Sequence, residues 1–288
     1  MKLGFFTMPI HPLDKDWRQS LREDREAFVL ADKLGFVEGY VGEHATDRAE
    51  NITSCALFIA SLIDATKTIK LGTGTINMPN AHPVATASQI AMLDHMLDGR
   101  FIFGISPGGL LSDAEAFGNL DADRNAMFIE AINAVLEIWQ REPPYNIEGK
   151  YWNIKIERQA MLEVGQGYLA KPLQKPHPPI LVGATGENIA LGIVARHAQI
   201  WNSFGTPDVF RHKIARLQDH CERIGRDPAT IEKSVLLSGL FALNEARREI
   251  DAYAAAGVTH LIFSVSPTDR DFIRRFAREI IPVYKAQS

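Results

Sequence analysis

Gly35-Phe36-Val37-Glu38-Gly39-Tyr40-Val41-Gly42-Glu43-His44, then Gly72-Thr73-Gly74-Thr75 running on to Ala81-His82-Pro83-Val84, then Leu97-Asp98-Gly99-Arg100-Phe101-Ile102-Phe103-Gly104, decide how this chain folds. Each stretch couples a short apolar run of strand length to a polar or glycine-rich cluster. In the first two, the cluster follows the run. The C-terminal end of a strand in a parallel barrel is where ligands are held.

The rest of the chain repeats this pattern. Strands are expected at Leu3 to Met8, Gly39 to Glu43, Ile69 to Ile76, Phe101 to Ser106, Ile180 to Ala184, Gln199 to Ser203, Ser234 to Ala242 and His260 to Val265. Between the first two, Trp17, Leu21, Phe28, Ala31 and Leu34 recur at helical spacing, and Gly35 stands where a helix-ending glycine belongs. Further helices are expected over 52–65, 84–97, 124–140, 187–197, 208–224, 245–256 and 271–285. Eight strand–helix units without a linker predict an α/β protein, a single (β/α)8 TIM barrel with residues 1–288 as one domain. Two places break the rhythm. Residues 142–179, rich in Pro, Tyr and Gly, form an insertion whose length suggests a functional lid. The seventh strand runs almost straight into its helix at Asn244, which leaves a short loop.

A chain of 288 residues with 46% hydrophobic and 23% charged content can bury one large core. A net charge of −4 and the lack of a Lys/Arg run give no reason to expect nucleic acid or an anionic membrane. No leader pattern is present, and no run reaches the ~18 apolar residues of a membrane span. A cytoplasmic protein is expected. Cys55 and Cys221 fall in helical patterns and read as buried thiols in a reducing compartment. The sequence carries no metal-ligand spacing, no full G-x-G-x-x-G, no Walker loop, and no G-x-S-x-G elbow around Ser106. These absences argue against a Rossmann or P-loop nucleotide site, and nothing indicates a hydrolase.

The three opening stretches, with Lys171-Pro172-Leu173-Gln174-Lys175-Pro176-His177-Pro178-Pro179 and Ala198-Gln199-Ile200-Trp201, resemble the bacterial luciferase-like family of flavin-dependent monooxygenases. The resemblance runs through almost the whole chain and weakens after about residue 235. It implies that His44 lies near the reactive edge of a flavin and acts there as an acid or base. By its residue type alone, His44 could equally cap a strand or helix. Glu43 would be its supporting partner or a barrel-interior carboxylate. Gly72, Gly74 and Thr75 read as small interior residues, or as a place where a ligand approaches backbone. Relatives carry a non-proline cis peptide here under the flavin ring, which by position joins Gly74 to Thr75. Asn77 could offer its amide to the polar edge of the flavin. His82 precedes Pro83 at a helix start, where a structural role is the simpler reading.

Arg100 is expected at the bottom of the barrel, ion-paired with Asp94 or Asp98. Many relatives place a phosphate-binding arginine just after the fourth strand. Ser106-Pro107-Gly108-Gly109 has none, so Arg124 is the available cation. The helix start at Thr185, Gly186, Glu187 and Asn188 offers backbone N–H groups to a phosphate, though it also fits an ordinary cap. Ser264 to Ser266 is the second candidate. Phe6, Met8, Phe103, Phe117 and Trp201 are pocket-wall candidates, with core as the alternative.

The resemblance implies an FMN-dependent monooxygenase that oxidises a small organic substrate with O2. Reduced FMN would arrive as a co-substrate from a separate flavin reductase. Two alternatives stay open: a deazaflavin (F420)-dependent oxidoreductase on the same fold, and a flavin-binding protein without turnover. The short loop after the seventh strand, where relatives carry a long insertion, motivates the second. The helices at 52–65 and 84–97 show few charges, and relatives pair through this region, so a homodimer is expected.

Overall fold

The computed structural model describes residues 1–8, 10–238 and 243–285. In chain order the elements are β1 (Lys2–Thr7), α1 (Trp17–Lys33), β2 (Glu38–Val41), α2 (Cys55–Ala60), β3 (Lys70–Thr73), β4 (Ile76–Asn77), α3 (Pro83–Met96), β5 (Phe101–Ser106), α4 (Leu111–Ala116) and α5 (Arg124–Gln140). There follow β6 (Tyr145–Glu148), β7 (Asn153–Ile156), β8 (Ile180–Gly183), α6 (Ile189–His197), β9 (Ile200–Ser203), α7 (Pro207–Arg223), β10 (Glu232–Ser238), α8 (Leu243–Ala255), β11 (His260–Ser264), α9 (Arg270–Glu279) and α10 (Ile281–Lys285).

Alternation along the strands builds the architecture. Phe5 points outward and packs edge-on against Phe28 of α1, with ring centroids 5.1 Å apart. Its neighbour Phe6 points inward and meets Tyr40, Ile102, Leu181, Ile200 and Ile262 in a second apolar cluster inside the barrel. Every pairing around the ring is parallel, from β1–β2 through β3–β5 and β5–β8 to β10–β11 and β11–β1. The β3–β5 contact, Leu71 against Phe101 and Gly72 against Ile102, closes the TIM barrel expected from the sequence. Helix starts follow the sequence signals: Asp16 caps α1 by accepting from the Gln19 N–H, and Thr206 caps α7 through the Val209 N–H.

Two glycines answer to packing. A Cβ at Gly72 would lie 2.6 Å from the Tyr40 ring, and one at Gly4 would lie 2.7 Å from His260 Nε2. Only glycine lets those rings into the barrel. The floor is ionic. His260, fully buried, sits 2.8 Å from Glu232, and Lys2 bridges Glu232 and Glu38 at 2.5 and 3.3 Å. His260 and Lys2 more than offset burial at Glu232 and hold its carboxyl down at about 2.

Four expectations need correction. Residues 142–179 are not a lid. The insertion links the end of α5 to the start of β8, and helix-to-strand connections in a parallel barrel lie at the N-terminal face. Its β6–β7 hairpin is held beside α5, where the Glu130 carboxylate accepts the N–H groups of Lys150, Tyr151 and Trp152 at 2.8–2.9 Å. Lys171 donates to the carbonyls of Ile138 and Arg141, and Gln174 reaches the Phe101 carbonyl at the foot of β5. Second, Arg100 makes no ion pair with Asp94 or Asp98. It donates to the Ile69 and Thr66 carbonyls, while Asp94 is taken by Gln174. Third, the helix expected over 52–65 is regular only from Cys55 to Ala60. Fourth, the third strand is split into β3 and β4, with a cis peptide joining Gly74 to Thr75 between them, at the bond the resemblance singles out. The short helix α4 went unforeseen. Residues 239–242, the end of the expected seventh strand, lie outside the described residues; β10 and α8 bracket them.

Candidate functional site

The C-terminal mouth of the barrel opens into a cavity of about 290 Å3. Its inner wall is Phe6, Tyr40, Leu181, Leu236 and Ile262, all inward-facing strand residues. One side is formed by Gly74 and Thr75, by the Ser106–Gly109 turn, and by Gly183 to Thr185. A second hollow of about 440 Å3 shares Pro107 and Gly183 to Thr185 with the first and runs on to Gly186, Glu187 and Asn188. No side chain caps α6, whose first residues Ile189 and Ala190 line this hollow, while the Leu191 N–H donates to the Gly186 carbonyl at 3.2 Å.

Among the expected site residues, Gly74, Thr75 and Thr185 line the main cavity, and Thr185, Gly186, Glu187 and Asn188 line its extension. The Glu187 carboxylate turns to His212, 3.1 Å away, and its carbonyl accepts from His220 at 2.8 Å. Asn77 is buried and lines neither hollow; its Oδ1 accepts from Ser106, which in turn accepts from Thr75 at 2.6 Å. Arg124 stands beside the Ser106–Gly109 turn and donates to the Gly108 carbonyl at 3.3 Å. Ser266 bonds to Thr268 at 2.9 Å, away from both hollows.

His44 lies three residues beyond the end of β2 and lines neither hollow. Its Nδ1 lies 3.1 Å from Asp113 on α4, and its Nε2 lies 3.5 Å from Glu50. Asp113 also accepts the Thr46 N–H and hydroxyl at 2.9 and 2.6 Å. Burial raises the Asp113 pKa, but these bonds outweigh it and lower the carboxyl overall. An ionised Asp113 fixes a proton on Nδ1 and leaves Nε2 toward Glu50. Glu43 points elsewhere. It accepts from the Cys55 N–H and thiol and from the Asn77 N–H, so it pins three segments together. Burial pushes this carboxyl up. His82 caps α3 by accepting the Val84 N–H, the structural role.

Of the aromatic candidates, Phe6 lines the cavity, whereas Phe103 packs on Trp139 and Trp201 on Phe210, outside the barrel. Strand parity decides this: Ile102 and Ile200 face in, so their neighbours face out. Phe117 is half exposed. Met8 packs against the interior cluster. Sequence reading missed Asp113, because it lies 69 residues from His44 and reads as a surface helix residue. It also missed Asn202, for which a signal existed: a polar residue at an inward-facing position of an apolar strand.

The barrel-mouth cavity of this α/β barrel runs on to the uncapped start of α6. The chain belongs to the luciferase-like monooxygenase family, whose model matches residues 1–286. It is 28% identical over 207 residues to 4-hydroxyprotoasukamycin monooxygenase of Streptomyces nodosus subsp. asukaensis, covering 72% of this chain and 53% of that protein. The chain thus spans about half the length of that relative. Its fold matches the oxygenating constituent of 3,6-diketocamphane monooxygenase from Pseudomonas putida, solved in complex with FMN. That match has TM-score 0.75 and 24% identity over 100% of this chain and 76% of the other. It also matches an F420-dependent secondary alcohol dehydrogenase in complex with an F420-acetone adduct (TM-score 0.79, 17% identity, covering 98% of each chain).

Proposed function

We propose that this protein is the oxygenating component of a two-component flavin-dependent monooxygenase, a single-domain barrel that receives reduced FMN from a separate reductase and uses O2 to oxidise a small organic molecule. The observation that carries the reading is the continuity of the barrel-mouth cavity with the uncapped start of α6, in a chain matched by the family over residues 1–286. The residues suit FMN. A Cβ at Gly109 would meet nothing within 4 Å and one at Gly183 nothing nearer than 3.5 Å, so both glycines keep a planar cradle clear. Thr185 to Asn188 hold the phosphate through backbone N–H groups, with Arg124 adding charge behind the turn. Thr75 and Ser106 form a hydrogen-bonded ledge under the ring, with Asn77 buried behind Ser106. Reduced FMN supplies the reactivity toward O2; the chain binds it, excludes water and aligns the substrate. His44, oriented by Asp113, would turn Nε2 from Glu50 to move a proton at the flavin edge.

Support for a reductase partner comes from the relative described as an oxygenating constituent. Two buried free thiols suit a cytoplasmic setting, and among the described residues no helix is long and apolar enough to cross a membrane. The F420-dependent reading is favoured by one observation, the shared fold of the alcohol dehydrogenase.

The test is anaerobic titration with reduced FMN and reduced F420, followed by a pulse of O2. Wild-type protein should bind reduced FMN and change the rate of its reoxidation; identical rates with and without protein would remove this reading. Binding of F420 alone would install the alternative. Arg124→Ala should weaken FMN binding by ~1.5–3 kcal/mol, read by fluorescence quenching. Unchanged affinity would take Arg124 out of the site.

A further inference from the structure

We propose that Asn202 selects the substrate of this cavity, by accepting a hydrogen bond from a hydroxyl or N–H group on an otherwise apolar organic molecule. The inference rests on the reading that FMN takes the side of the cavity formed by Thr75, Ser106 to Gly109 and Thr185. The opposite wall, from β9, β10 and β11, is Asn202, Phe204, Leu236 and Ile262. Asn202 is its one polar side chain.

The orientation of that amide is set from behind. The Ser234 hydroxyl is fully buried, 3.1 Å from the Trp201 carbonyl and 2.8 Å from Asn202 Nδ2. A hydroxyl has one proton, and here it goes to the Trp201 carbonyl, which can only accept. Ser234 must therefore accept from Asn202, so the amide nitrogen faces Ser234. This turns Oδ1 away from Ser234, and no partner for it occurs among the described residues. An oriented acceptor in an apolar wall favours ligands that bring a donor. A ligand lacking one strips water from Oδ1 and gives nothing back. The same alternation that buries Ile200 in the barrel interior places Asn202 one layer higher, beside Gly183 on β8. Gly183 has no side chain to compete for the amide.

The experiment uses full-length protein loaded with oxidised FMN. Matched alcohol and ketone pairs (cyclohexanol and cyclohexanone, menthol and menthone, borneol and camphor) are titrated by calorimetry, and again without FMN. Wild-type protein should bind the alcohol of at least one pair ~10–100-fold tighter than its ketone. Asn202→Leu should erase that ratio with FMN affinity unchanged. Ser234→Ala, which keeps Asn202 but frees its amide to rotate, should lower the ratio without removing binding, and covers the case in which Asn202→Leu does not fold. A ratio unaltered in both variants overturns the proposal, as does a ketone preference or failure of every alcohol to bind. Loss of FMN affinity in Asn202→Leu would also overturn it, by assigning the donor to the flavin ring. Absence of FMN binding to wild type would sink the flavin reading alone, since an alcohol preference in the FMN-free titration would still stand for Asn202.

Discussion

At the residue scale, two ionisable clusters carry different duties. His44 is gripped by Asp113 through Nδ1 and by Glu50 through Nε2; in the proposed function it moves a proton at the flavin edge. His44→Ala should keep its melting temperature and FMN affinity. It should lose ~10²–10⁴-fold in coupled product formation, with reduced flavin discharging as hydrogen peroxide. Peroxide yield per FMN oxidised is the readout, and an unchanged yield would show that His44 does no proton chemistry. The second cluster is structural. Asp24 on α1 is buried against His11, 3.2 Å away, with its Oδ1 unpartnered. Burial pushes its carboxyl from 3.8 up to about 7. Between those values the folded protein keeps a proton that the unfolded chain has released. Stability from this group is therefore full below about 3.8 and is lost as pH rises through about 7. Asp24→Asn should gain on wild type by ~1–3 kcal/mol between pH 5 and pH 8 in urea unfolding. An equal difference at both pH values would contradict this account.

At the scale of elements, the connection matters more than its length. The 142–179 insertion looked like a lid because it is long, yet its chain order sends it to the face opposite the cavity. The β6–β7 hairpin hangs on one carboxylate, Glu130, which accepts three backbone N–H groups. Glu130→Ala should destabilise the protein by ~1–3 kcal/mol, because it strips a charged acceptor from three donors. FMN affinity should not change. A variant that folds normally yet binds FMN poorly would return the hairpin to the site. The α4 segment shows the converse: six residues, too short to announce themselves, deliver Asp113 to His44.

At the scale of the whole molecule, α2 and α3 present apolar surface to solvent. Leu57 is 75% and Met92 63% exposed, and Met96 joins them. Isolated exposed side chains need no explanation, but a run of them across neighbouring helices fits a covered face. A two-fold dimer through these helices is expected, and multi-angle light scattering at micromolar concentration should return twice the 32.0 kDa chain mass. A monomeric mass would remove it. Pairing here would leave both cavity mouths free, since α2 and α3 line neither hollow.

The sequence by itself determined the barrel. Apolar runs of strand length, helical spacing and glycine punctuation are local signals, and eight strand–helix units in series admit few other closures. It also marked the places where Gly74 and Thr75 and the Thr185–Asn188 turn would stand, because a strand end or helix start advertises itself in neighbouring residues. Tertiary structure alone decided which side chains meet. Trp201 and Asn202 are adjacent in sequence, yet one is core and the other cavity wall, since inward parity is set by how the sheet closes. Asp113 reaches His44 across 69 residues, and Arg100 finds carbonyls where Asp94 and Asp98 stood nearer in the chain. Such pairings depend on long-range distances and on competition among partners, and a one-dimensional pattern encodes neither.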